Sequence, residues 1–288
     1  MPLKLMYFTN NSEIARTADV AGVDRIVIDL ETLGKQERQG HLDTRISAHQ
    51  ISDIGRIRQV LVRSELLVRI NPINPDSQSE IESVVAAGAD IIMLPYFKTL
   101  SEINTFLRLV NQRTQTILLL ETAEAEQLID EILQLGGFDA IHIGINDLAI
   151  SKGLNFLFES LLEPSFETLC AKLRQSGIPF GFGGISRLNE GRIPARYIIP
   201  EHYRLGSTMA ILSRSFLSAS EIENMDAAKS IMTQAMQEVR DFEQTLLVQP
   251  ADFFRDNSIM LHEQIQEVVT EIKAKRSMIS PEANTRVV

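Results

Sequence analysis

Eight short apolar segments alternate with amphipathic stretches of helical period along most of this chain, and that alternation constrains the fold more than any other feature. The segments cover residues 3–9, 25–31, 66–71, 91–96, 116–122, 140–146, 179–185 and 203–208. They are near-continuous apolar runs rather than strict polar–apolar alternations. Strands of a parallel sheet read this way because both of their faces are covered. The punctuation repeats as well. Gly22-Val23-Asp24, Gly88-Ala89-Asp90 and Gly137-Phe138-Asp139 each end a helical stretch and lead into a strand. Gly177-Ile178-Pro179 does similar work before the seventh segment. Glycine suits the residue after a helix, which often takes a positive φ. Leu128, Ile129, Ile132 and Leu133 show the helical spacing expected between strands.

Eight βα units predict an α/β protein with a (β/α)8 TIM barrel. A doubly wound open sheet is the alternative, and it usually carries a glycine-rich loop after its first strand. Here the first strand runs into Thr9-Asn10-Asn11-Ser12, a helix N-cap signal. Two regions depart from the repeat. Residues 32–52 form a long polar stretch after the second strand, and loops of that length are often functional. The tail reads as one long helix over 218–247, an interruption at Pro250, and a second helix over 256–276. The expected organisation is therefore a barrel over 1–215 and a C-terminal helical arm over 216–288. Ile265, Val268, Val269 and Ile272 make an apolar stripe that a finished barrel leaves uncovered. That stripe predicts packing on the barrel's outside or on a neighbouring subunit, and with it a homo-oligomer.

Composition narrows the function. The 288 residues carry 28 Lys+Arg against 38 Asp+Glu, a net charge of −10. A general nucleic-acid or anionic-membrane binder needs a basic surface, so neither is expected. The lone Cys170 can form no internal disulfide and reads as a core position. The first eleven residues lack the basic and apolar regions of a signal peptide, and no apolar run reaches membrane-spanning length. The expectation is a cytoplasmic soluble protein acting on small molecules.

In a barrel, chemistry sits at the C-terminal ends of the strands. Asp29 and Glu31 end the second strand, Arg69 and Asn71 the third, Glu121 the fifth, Asn146 and Asp147 the sixth, and Gly183-Gly184-Ile185 the seventh. Arg204 and Ser207 fall in the eighth segment. Carboxylates gathered at one mouth repel one another unless a cation neutralises them. Glu121 and Asp147 are hard oxygen donors of the kind that hold Mg2+ or Mn2+; each is equally suited to capping a helix. Arg69, emerging from an apolar strand, is either a structural partner of Asp29 or Glu31 or a fork for a substrate carboxylate or carbonyl. His142 lies within the sixth strand and reads as a core histidine. His41 and His49 lie in the long loop with Lys35, Arg38 and Arg45, which is either a solvated loop or a lid that recruits an anion.

These residues carry a resemblance. The DLE at 29–31, VRIN at 68–71, AGADIIMLP at 87–95, LLLETAEA at 118–125 and FDAIHIGINDLAISKG at 138–153 are similar to the HpcH/HpaI aldolase and citrate lyase β-subunit family. The resemblance covers about residues 3–215. It implies a divalent-metal-dependent lyase that makes or breaks a C–C bond beside a 2-oxo acid such as pyruvate, with an aldehyde or acyl partner. By position, Glu121 and Asp147 would bind the metal, Mg2+ or Mn2+. Arg69 would bind the oxo group and steady an enolate, with Asp29 and Glu31 beside it as catalytic carboxylates. The backbone at Gly144, Asn146 and Asp147 would hold the substrate carboxylate. One position departs from the aldolase branch: Thr32 stands where that branch has a histidine base. The base is then His41 or His49 reaching in from the loop, or Glu31, Lys35 or metal-bound water. The alternatives are an acyl-CoA lyase of the citrate lyase type, or a barrel that binds a metabolite without turning it over.

Overall fold

The computed structural model describes residues 1–34, 49–213 and 216–279. Eight parallel strands close into a barrel in sequence order, with β8 pairing back to β1. They are β1 (Lys4–Phe8), β2 (Arg25–Asp29), β3 (Glu65–Arg69), β4 (Ile91–Leu94), β5 (Gln115–Leu120), β6 (Ala140–Ile143), β7 (Phe180–Ile185) and β8 (Met209–Leu212). The expected TIM barrel is therefore present. Its core has two compartments. Met6, Val27, Leu67, Ile91, Met93, Ile117, Leu119, Ala140 and Met209 fill the interior of the barrel. A larger apolar layer lies between the strands and the surrounding helices.

The glycine–x–aspartate punctuation has a second purpose that the sequence reading did not extract. In all three repeats the aspartate staples the start of the preceding strand with two bonds. Leu5 N–H donates to Asp24 Oδ2 at 2.8 Å, and Asp24 N–H donates back to the Leu5 carbonyl at 3.0 Å. Asp90 repeats this on Leu66, and Asp139 repeats it on Thr116. Beside these, Asp19 accepts the backbone N–H groups of Val62, Arg63 and Ser64. Burial opposes its charge, yet those donors hold its carboxyl below the ordinary value.

One strand lies elsewhere than expected. Residues 203–205 end the helix Ala195–Leu205, and β8 begins only at Met209. Tyr203 and Leu205 belong to that helix's packed face, not to the sheet. Gly206, at φ 82°, is the helix-ending residue, just as Gly22 is at φ 94°. The eighth unit thus obeys the same glycine punctuation as the others. Arg204 and Ser207 move with this correction, from the mouth to the N-terminal side of the barrel. There Arg204 pairs with Glu201 and Glu167, and Ser207 Oγ meets His202 Nδ1 at 2.7 Å.

The tail is broken more than expected. A turn Ala219–Ile222 precedes the helix Met225–Leu246, which Asn224 caps by accepting the Ala227 N–H. That helix lies on Ser12–Ala21. Its Glu243 accepts the Leu3 N–H at 2.7 Å, and its Arg240 pairs with Asp24 at 2.8 Å. The last helix, Ala251–Ile279, starts directly after Pro250 and packs along Ala195–Leu205. It buries Leu261, Ile265, Val268 and Val269 within the same chain. Packing on the barrel's outside, one of the two uses expected for that stripe, is thus present. Among the described residues no helix is long and apolar enough to cross a membrane.

Candidate active site

Asp29 and Arg69 are the last residues of neighbouring strands and share one register position. Both point into the barrel near its C-terminal mouth, so an ion pair between them needs no loop. Arg69 forks onto Asp29 with Nε–Oδ1 and Nη2–Oδ2 both at 2.9 Å. Its Nε also lies 3.4 Å from Glu31 Oε2, and its guanidinium sits 5.2 Å from the Phe8 ring centre. Burial disfavours the charge on Arg69. Asp29, Glu31 and the more distant Glu121 outweigh that and push its pKa above the ordinary value. The structural reading of Arg69 is thus realised with both carboxylates. Its Nη1 makes no hydrogen bond to the described residues, so one edge of the fork remains for another oxygen.

Glu121 follows β5 and is buried. It does not cap the next helix: Thr122 does, accepting the Ala125 N–H at 3.1 Å. Glu121 Oε1 instead accepts the Tyr96 N–H at 3.0 Å. Tyr96 sits at φ 49°, uncommon for a residue with a Cβ. No sequence signal marks that conformation, and Tyr96 was missed. On the neighbouring strand, Gly144 directly follows β6. A Cβ there would lie 2.7 Å from Glu121 Oε2 and 2.8 Å from Glu121 Cβ. The glycine therefore makes the seat in which this carboxylate rests.

Asp147 is buried in the first turn of the helix Ile145–Ser151, whose N-cap Gly144 supplies no side chain. Acidic residues suit that turn electrostatically. Asn146 is exposed beside it. Among the described residues no group of three or more His, Cys, Asp or Glu is arranged to hold a metal ion.

The long loop returns to the barrel at His49. Its Nδ1 accepts the Asp29 N–H at 2.9 Å, continuing the ladder one step beyond the Thr9 N–H bond to Val27. An imidazole that accepts at Nδ1 carries its proton, when neutral, on Nε2. In this arrangement His49 has spent its basic nitrogen. The other end of the loop is clamped by Asn71, whose Oδ1 accepts the Thr32 and Leu33 N–H groups while its Nδ2 donates to Glu80. A recess of about 300 Å³ flanks this clamp. His41, Lys35, Arg38 and Arg45 lie outside the described residues.

The remaining histidines are interior or peripheral. His202 stacks on Phe182 outside the barrel, with ring centres 3.8 Å apart. His142 is fully buried and points into the barrel. Cys170 is buried as expected, and burial raises its thiol pKa.

Comparison with known families now places the chain. The family model for the HpcH/HpaI aldolase/citrate lyase family matches residues 4–158. The chain belongs to that family, whose members are enzymes of C–C bond chemistry. Comparison with curated protein sequences finds no match. Among solved structures, the chain is similar to an HpcH/HpaI aldolase from Desulfitobacterium hafniense, at 17% identity and TM-score 0.57, covering 81% of this chain and 93% of that one. It is similar to an aldolase/citrate lyase family protein from Burkholderia cenocepacia at 18% identity and TM-score 0.58, covering 83% and 95%. Macrophomate synthase matches at 15% identity and TM-score 0.53, covering 73% and 78%. At these identities the structures support the barrel itself.

Proposed function

We propose that the chain is a divalent-cation-dependent lyase that cleaves or forms a C–C bond beside a 2-oxo acid such as pyruvate. The observation that carries this reading is the Glu121 carboxylate, seated where Gly144 lacks a side chain and steadied by the Tyr96 N–H. With Asp147 it makes a hard-oxygen donor set, and two carboxylates completed by waters and substrate oxygens suit Mg2+ or Mn2+. The residues present therefore fit the cation. When bound, it would supply Lewis-acid stabilisation of an oxo-acid enolate.

The chain's own residues do the rest. Arg69 presents fixed positive charge, and its Nη1 edge faces the oxo oxygen as negative charge develops there. Asp29 holds that fork in one orientation. First-turn N–H groups of Ile145, Asn146 and Asp147 receive the substrate carboxylate, since a helix leaves these donors without intrahelical partners, whereas the Gly144 N–H is spent on the Leu120 carbonyl at 2.9 Å. Glu31, 3.4 Å from Arg69, is the carboxylate that takes and returns the proton. The barrel over 1–215 carries this site, and the helical arm over 216–288 braces it. The test is deuterium exchange into pyruvate with and without Mn2+. Glu121→Ala abolishes cation-dependent exchange; exchange unchanged by the substitution would sink the proposal.

A second reading is a barrel that binds a metabolite without turnover. Thr32 in place of a histidine, together with His49 bonded to the Asp29 backbone, favours it. Mn2+ binding by the wild-type protein with no exchange into any short 2-oxo acid would decide for it.

A further inference from the structure

Glu121 and Asp147 belong to different elements. Glu121 follows β5, and Asp147 lies in the helix Ile145–Ser151 after β6. The ladder between these strands ends with the Gly144 N–H on the Leu120 carbonyl at 2.9 Å, one residue short of Glu121 and three short of Asp147. Strand register alone therefore leaves the distance between the two carboxylates open. Two contacts at the far end of that helix span the gap. In the first, Ser151 Oγ accepts the Ala123 N–H at 2.9 Å, two residues beyond Glu121. Asp147 and Ser151 are four residues apart and so share one helix face. The face that carries Asp147 is thus the one turned to the Glu121 segment.

Lys152 makes the second contact. It is the C-cap of the same helix, a place where a lysine usually stays in water near the last carbonyls. Here the side chain is mostly buried and leaves its helix. Its Nζ lies 2.9 Å from Glu126 Oε2 and 3.2 Å from Ser165 Oγ, and it also meets Glu163 Oε2. Glu126 is on the helix Ala123–Gln127, which starts two residues after Glu121. Glu163 and Ser165 stand at the start of the helix Pro164–Ser176. Burial disfavours the Lys152 charge, and the bonds to Glu163 and Glu126 outweigh it and raise the pKa. A buried ion cluster gains little stability over apolar side chains of the same volume. What it adds is direction, since oxygens from two other elements fix one nitrogen in place. Joining the helices would not by itself require it.

We infer that Lys152, with Ser151, is a positioning residue: it fastens the helix that carries Asp147 to the segment that carries Glu121, and so sets the separation of the two carboxylates that receive the divalent cation. The inference rests on the function proposed above for that pair. Lys152 acts on the cation only through the placing of its ligands. Outer groups of this kind typically change cation affinity about 10–100-fold when removed. The sign of the effect separates this role from simple electrostatics. Lys152 is itself positive, so by charge alone its loss would tighten the binding of a cation. Displaced ligands weaken it.

The experiment measures Mn2+ affinity of the full chain by calorimetry for wild type, Lys152→Met and Ser151→Ala. Thermal unfolding without divalent ions shows that each variant is folded at the assay temperature. Lys152→Met is expected to bind Mn2+ at least about tenfold more weakly. Ser151→Ala loses one solvent-exposed bond and is expected to bind Mn2+ about two- to threefold more weakly, with a melting temperature within about 2 °C of wild type. Affinity in Lys152→Met equal to or tighter than wild type overturns the inference and leaves the function of Glu121 and Asp147 intact. If Lys152→Met does not fold, Ser151→Ala decides, and unchanged affinity there overturns the inference. Wild-type protein that binds no Mn2+ overturns the proposed function first, and this inference with it.

Discussion

The two ends of the barrel use charge in opposite ways. At the N-terminal end, carboxylates are spent on backbone and on arginines of their own. Asp24, Asp90 and Asp139 staple strands, Asp19 gathers three N–H groups, and Glu65 meets Arg25 at 2.9 Å. At the C-terminal mouth, Asp29, Glu31 and Glu121 act on the one buried guanidinium of Arg69, and Asp147 is buried in the turn after β6. The first arrangement lowers the energy of the folded chain. The second sets several carboxylates around one buried guanidinium. One end spreads its carboxylates over backbone donors and arginines, the other concentrates them.

Substitutions break or sharpen that contrast. The largest effect is expected from Arg69→Ala, which takes the guanidinium away from the buried carboxylates of Asp29 and Glu31. A loss of about 3–5 kcal/mol in urea unfolding is expected. The double replacement Asp29→Leu with Arg69→Met should recover only part of that stability, since buried Glu31 still lacks the guanidinium, and none of the exchange activity. At the opposite end, Asp19→Ala should cost about 2–3 kcal/mol, because three N–H donors lose a charged acceptor together. The pH dependence follows from its depressed carboxyl pKa. Asp19 stabilises the fold above its ordinary unfolded value, and that contribution disappears as pH falls through the lower folded value. In Asp19→Ala, the acid limb of the stability–pH curve should therefore flatten.

Glu121→Gln sharpens the contrast from the mouth. Removing one of several crowded charges should change stability by less than about 1 kcal/mol, in either direction, while cation-dependent exchange is lost. A large destabilisation would mark Glu121 as a staple like Asp19. The smallest effect is expected from Arg58→Ala. Its bond to Asp90 is short at 2.6 Å, but Arg58 is half exposed, so about 0.5 kcal/mol or less is at stake in unfolding.

Sequence patterning made seven strands and the ring of acidic strand ends legible, because both follow from period and position alone. The eighth strand was misread for a physical reason. Tyr203 and Leu205 are apolar on the packed side of a helix, and a short apolar run does not by itself distinguish helix from strand. Gly206 carried the correct signal, which had been read at Gly22 and Gly88 but not there. Within the site, Asp29, Glu31 and Arg69 were readable because strand register brings them together. Tyr96 was not, since a backbone N–H turned by a left-handed residue leaves no trace in residue type. The Asn71 clamp and the His49 bond were equally hidden. Both depend on where a loop comes back, and sequence distance says nothing about that.

The aspartate staples also divide the ring into couples. Asp24 ties β2 to β1, Asp90 ties β4 to β3, and Asp139 ties β6 to β5. Thr208, leading into β8, donates both its N–H and its hydroxyl to the Phe180 carbonyl at the start of β7. The eight strands are thus stitched as four tandem doublets. Seams between doublets lack this aspartate staple, and β2 and β3 are joined instead by the Arg25–Glu65 and Asp29–Arg69 pairs. Chain breaks moved to a seam, such as the β4–β5 connection, leave every doublet whole, whereas a break between β3 and β4 splits one.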